Sequence, residues 1–116
     1  SAAVQRVTEA NDFSVIRTLV GHGVGREMHE EPQVPNFGEP GSGPELREGM
    51  TIAIEPMITA GTNEVVLAED EWSISTADGS LSAHFEHTVA ITPAGPEILT
   101  LRTVSEPAAA TDSLLA

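Results

Sequence analysis

Met50-Thr51-Ile52-Ala53-Ile54-Glu55-Pro56-Met57-Ile58-Thr59-Ala60 is the stretch on which the fold turns. It is apolar and β-branched, closes on Gly61, and reads as one strand over residues 50–60. In a strand the side chains alternate, so Ile52 and Ile54 share one face while Thr51, Ala53 and Glu55 share the other. Glu55 is therefore presented from a small, weakly polar face, and Pro56 after it ends ordinary ladder pairing. A second strand, over 82–92, repeats the picture. His84, Glu86, Thr88 and Ala90 lie on one side, with Phe85, His87, Val89 and Ile91 on the other. A glutamate wedged among aromatic and β-branched neighbours is expensive to bury alone, and a metal ion would remove that cost.

Outward from these two strands the signals are shorter. Val4 and Val7 against Arg6 and Glu9 predict a helix over 2–10, ended by Asn11 and Asp12. Residues 13–20 alternate and predict a strand, stopped by the glycines at 21, 23 and 25. Residues 30–49 hold prolines at 32, 35, 40 and 44 and read as a long loop with a covering or functional role. Short strands are expected over 64–68 and 72–76, and Asp78-Gly79 marks a turn. Residues 97–102 are expected to return on 82–92 as a hairpin. The sum is an α+β domain of mainly antiparallel strands with a flanking helix, over residues 1–104. The Ala, Ser, Pro and Thr content of 105–116 reads as a flexible tail.

The 116 residues suffice for one core. Eighteen acids against five arginines and no lysine give a formal charge of −13, which argues against nucleic acid and anionic membranes as partners. There is no cysteine, hence no disulfide framework or thiolate chemistry. No run approaches the roughly 18 apolar residues of a membrane span, and a cytoplasmic location is the expectation. The chain opens on Ser1 inside an amphipathic pattern, as a processed chain or a fragment would.

All four histidines fall near these strands or in Gly21-His22-Gly23-Val24-Gly25-Arg26-Glu27-Met28-His29. Flanking glycines let the backbone of His22 come close to a ligand while the imidazole projects freely. Taken singly, a histidine is more often a surface or hydrogen-bonded residue than a ligand. Two histidines and two glutamates brought together form a mixed N/O cation site.

Three motifs in register, Gly21-His22-Gly23-Val24-Gly25 with His29, Ile54-Glu55-Pro56-Met57, and Ser82-Ala83 followed by Glu86-His87-Thr88, resemble the second half of a type I methionine aminopeptidase. The resemblance implies half of a pita-bread (creatinase/aminopeptidase-like) fold. It also implies two divalent cations (Co, Mn, Fe, Zn or Mg) and removal of the N-terminal methionine from nascent polypeptides. Carried onto this chain, His22 and Glu55 would bind one ion and Glu86 both. Glu55 would also take a proton from the attacking water, and His29 would donate to the scissile carbonyl. Trp72 and Met28 would line the methionine side-chain pocket. Two departures stand out: His84 where glutamine is usual, and Leu19 in place of an aromatic. The family's remaining ligands, two aspartates, belong to its first half. That N-terminal half is the implied partner, and without it the chain is expected to be incomplete or inactive. The alternative is a non-catalytic pita-bread module that binds peptides or proteins.

Overall fold

The computed structural model describes residues 1–102, and the expected tail at 105–116 lies outside them. Helix α1 (Ala2–Glu9) opens the chain. Gln5 donates to Glu9 one turn on, and Asn11 Nδ2 donates to the Val7 carbonyl at the C-terminal end, 2.8 Å away. The chain then enters a layer of short antiparallel strands: β1 (Ser14–Val15), β2 (Gly21–Gly23), β3 (Glu30–Val34), β4 (Thr51–Ile54), β5 (Met57–Thr59), β6 (Val65–Leu67), β7 (Ile74–Thr76), β8 (Ser82–His84), β9 (His87–Thr92) and β10 (Gly95–Ile98). Among the described residues they form a five-stranded sheet in the order β10-β9-β4-β2-β3, a three-stranded sheet β1-β5-β8, and the separate hairpin β6-β7. The class is α+β, as expected.

The strand expected over 50–60 is two strands. It breaks at Glu55-Pro56, with β4 in the five-stranded sheet and β5 in the three-stranded one. The strand expected over 82–92 breaks in the same way at Phe85-Glu86, between β8 and β9. The register runs unchanged through both breaks: Ile54 faces His87 on one side, and Met57 faces His84 on the other. Pro56 therefore stands opposite Phe85, whose N–H donates to the Pro56 carbonyl at 3.1 Å. Glu55 stands opposite Glu86. Pro56 has no N–H to give the ladder, and two carboxylates facing across a strand pair repel, so the sheets part there.

Four further expectations need correction. The glycines at 21 and 23 do not stop a strand; they form β2, between β3 and β4. A Cβ at Gly21 would land on the Ala53 carbonyl oxygen, and one at Gly23 on that of Glu31, so only glycine permits this spacing. The expected 30–49 loop begins with a strand, β3, on the sheet edge where Pro32 is tolerated. The returning strand β10 starts at Gly95, directly after a two-residue turn from Thr92, rather than at 97. The expected strand over 13–20 shortens to β1.

The core is small: Val15, Ile16, Ile52, Ala53, Met57 and Val89 are its buried apolar residues, with Asn36 and Thr59 buried among them. Ile52 and Ile54 turn toward the start of α1 and the 31–46 segment, and line a cavity of about 830 Å³ there. Ala53, on the opposite face, leaves space for larger side chains beside it. No helix among the described residues is long and apolar enough to cross a membrane.

Candidate metal centre

His22 lies opposite Ala53 in the β2–β4 pair, and Ala53 lies opposite Thr88 in the β4–β9 pair. Cross-strand partners share a face, so His22, Ala53 and Thr88 point to one side. Two residues further along each strand, Glu55 and Glu86 point the same way. The face expected for Thr51, Ala53 and Glu55 is thus the one that collects polar donors. One ligand atom from each of His22, Glu55 and Glu86 lies within 4.8 Å of the others. His22 and Glu55 are half-buried and Glu86 is exposed.

The tautomer of His22 follows from its partners. Its Nδ1 is 2.8 Å from the Gly23 carbonyl oxygen, which can only accept, so Nδ1 carries the proton. Nε2 then faces Glu55 Oε1 at 3.3 Å. In the neutral ring this sets a lone pair against a carboxylate oxygen, with a second carboxylate, Glu86, alongside. Such an arrangement is repulsive unless a proton or a cation lies between the donors. One imidazole and two carboxylates are a donor set that divalent ions accept. An imidazole that donates its far N–H to a main-chain carbonyl is in the orientation metal-bound histidines adopt. The residues present fit a divalent cation.

Glu55 is held from behind. Asn36, 1% exposed, donates Nδ2 to the Glu55 main-chain carbonyl at 3.1 Å. In the sequence Asn36 stands beside Phe37 in the family pattern that follows His29, but a polar residue in a proline-rich segment reads as loop surface and no role followed for it. His84 closes the far side, its Nε2 3.3 Å from Glu55 Oε2.

The remaining expected site residues are more open. The His29 ring lies 4.2 Å from that of His22, centroid to centroid, at an interplanar angle of 49°. It is exposed, as are Met28 at 73% and Trp72 at 86%. Trp72 lies between β6 and β7, beside the Asp70 turn. His29 therefore adjoins the donor group, whereas Met28 and Trp72 stand as free apolar surface.

The family model for metallopeptidase family M24 matches residues 1–93, across both strand breaks. A methionine aminopeptidase of Clostridium perfringens is 59% identical over 101 residues, covering 87% of this chain and 41% of that protein. One from Escherichia coli is 50% identical over 101 residues, covering 87% of this chain and 38% of its own. The crystal structure of methionine aminopeptidase from Thermotoga maritima superposes with a TM-score of 0.83 at 57% identity, covering 85% of this chain and 40% of that one. That from Rickettsia prowazekii gives 0.83 at 46% identity, with the same coverage. The chain spans about two fifths of the length of the curated relatives it matches. The fold is that of these enzymes, the pita-bread arrangement the motifs implied. With a family-wide match over four fifths of its length and relatives at least half identical to it, this chain belongs to metallopeptidase family M24.

Proposed function

We propose that the chain supplies one side of the dinuclear centre of a methionyl aminopeptidase that removes the N-terminal methionine from nascent proteins in the cytoplasm. The observation that supports this reading most directly is the gathering of His22 from the middle of β2 with Glu55 and Glu86 from the two strand breaks. In this reading His22 Nε2, Glu55 and Glu86 would hold the divalent ions from this chain's side. When bound, such ions supply Lewis acidity at the attacking water and at the scissile carbonyl.

The chain's own residues do the rest. The Gly23 carbonyl fixes the proton of His22 on Nδ1 and keeps Nε2 free to ligate. Asn36 fixes the main chain of Glu55, so that its carboxylate stays aimed across the break at Glu86. Glu55 accepts the proton of the attacking water. His29, its ring tilted against that of His22, donates a hydrogen bond to the substrate carbonyl as negative charge develops there. Met28 and Trp72 contribute apolar surface to the pocket for the methionine side chain, completed by the other part of the domain.

The test is co-expression of this chain with the N-terminal part of the Clostridium perfringens relative, followed by cleavage of a Met-Ala-Ser peptide. Release of methionine that requires added divalent ion, and that is abolished in Glu86→Gln, is the expected result. A folded, metal-loaded complex that leaves the peptide whole would refute the reading.

A further inference from the structure

We propose that Met28 is a reversible oxidation site, where a hydroperoxide turns the thioether into a sulfoxide and weakens the hold on methionine. The chain has three methionines, and their access to solvent differs widely. Met57, the first residue of β5, is 7% exposed. Met50 is half-buried, and its Sδ accepts the Arg47 N–H at 3.3 Å. Met28 is 73% exposed. It lies in the connection between β2 and β3, and hydrogen bonds pin that connection. The Val24 N–H donates to the Thr51 carbonyl at 2.9 Å, and the Glu27 N–H donates to Glu30 Oε1 at 2.9 Å. The residue is thus held outside the core, with its sulfur open to attack. The step needs no reagent beyond the peroxide. The sulfur lone pair takes one oxygen as the O–O bond breaks, the thioether is oxidised by two electrons, and the other oxygen leaves as water. The consequence comes from the neighbour. Met28 directly precedes His29, whose ring lies 4.2 Å from that of His22. A flexible apolar side chain becomes polar and chiral one residue from the group that adjoins the cation donors.

The effect on substrate rests on the reading of Met28 as a wall of the methionine pocket, and two measurements keep the modification and that reading apart. In the first, the 116-residue chain is treated with hydrogen peroxide and each methionine is followed by peptide mass spectrometry. Met28 is expected to oxidise at least about tenfold faster than Met57, and methionine sulfoxide reductases for the two epimers are expected to restore it. Equal rates at Met28 and Met57, or a Met28 sulfoxide that the reductases leave unchanged, would overturn the oxidation site. In the second, the complex with the N-terminal part of the Clostridium perfringens relative is assayed on Met-Ala-Ser before and after peroxide. Oxidation is expected to raise KM roughly tenfold with little change in kcat, because a sulfoxide pressed against a thioether gives up water without gaining a partner. Met28→Leu, compared with its own untreated rate, is expected to keep its KM through the same treatment. Full oxidation of Met28 with KM unchanged, or an equal rise in Met28→Leu, would overturn its role in holding methionine. A folded, metal-loaded complex that leaves the peptide whole before any peroxide is added would instead overturn the aminopeptidase reading, and the peptide map then still decides the modification.

Discussion

Asn36 shows how much a single buried side chain can decide. Its amide reaches 19 residues along the chain to hold the carbonyl of Glu55, and its own Oδ1 finds no protein partner. Asn36→Ala strips a buried carbonyl of its donor, and urea unfolding is expected to register a loss of about 1–3 kcal/mol. Divalent-ion affinity is expected to fall with it, since the Glu55 carboxylate loses its anchor. The contrast with His22, Glu55 and Glu86 is instructive. Those three were legible because imidazoles and carboxylates among apolar neighbours announce a need for a partner. Asn36 could be placed in the family pattern but its role could not be read, because its partner is a main-chain oxygen, and sequence carries no mark of which carbonyls a strand break leaves unpaired. The position of His84 was legible as a departure from the family pattern, but its contact with the far oxygen of Glu55 required coordinates.

At the scale of elements, antiparallel strands could be read from alternation, and the faces of β4 and β9 follow from it directly. What alternation cannot report is where one strand passes from one sheet to another. Unbroken β-branched runs at 50–60 and 82–92 read as continuous, yet Pro56 and the facing glutamates divide both. β2 was hidden for a different reason. Gly-His-Gly has no hydrophobic period, and it is a strand only because neighbouring backbones crowd in on both sides. Gly23→Ala tests this, since its Cβ would meet the rigid Glu31 carbonyl rather than a movable side chain. Thermal unfolding is expected to show a loss of about 2–3 kcal/mol, with weaker cation binding as β2 and His22 shift together.

Across the whole molecule, the large negative charge is managed partly by local hydrogen bonding. Asp78 accepts from the main-chain N–H groups of Thr62 and Ser80, tying the turn after β5 to the turn before β8. The Thr62 N–H, then Ser80, hold its carboxyl well below the usual carboxylate range, and the Ser73 hydroxyl does the same for Asp70, to a smaller degree. A carboxylate with a depressed folded-state pKa stabilises the protein above its unfolded value, near 4, and loses that contribution as pH falls through the lower folded value. Asp78→Asn is therefore expected to melt earlier than the parent at pH 7. The gap between the two should close as the pH is lowered below about 4, as read by melting temperature against pH. Trp72, Leu81, Phe85 and Met28 form exposed apolar surface on the same molecule, so acid conditions that remove charge should also favour self-association.

The paired breaks at Glu55-Pro56 and Phe85-Glu86 carry a mechanical consequence. Both β-ribbons bend at the same latitude, so an ion gripped there acts as a rivet through a double hinge. Stripping it with a chelator should free the edge of the smaller sheet, quickening amide exchange at Ser82–His84, which pairs on one side only, while Thr51–Ile54, flanked on both sides in the wider sheet, stays slow.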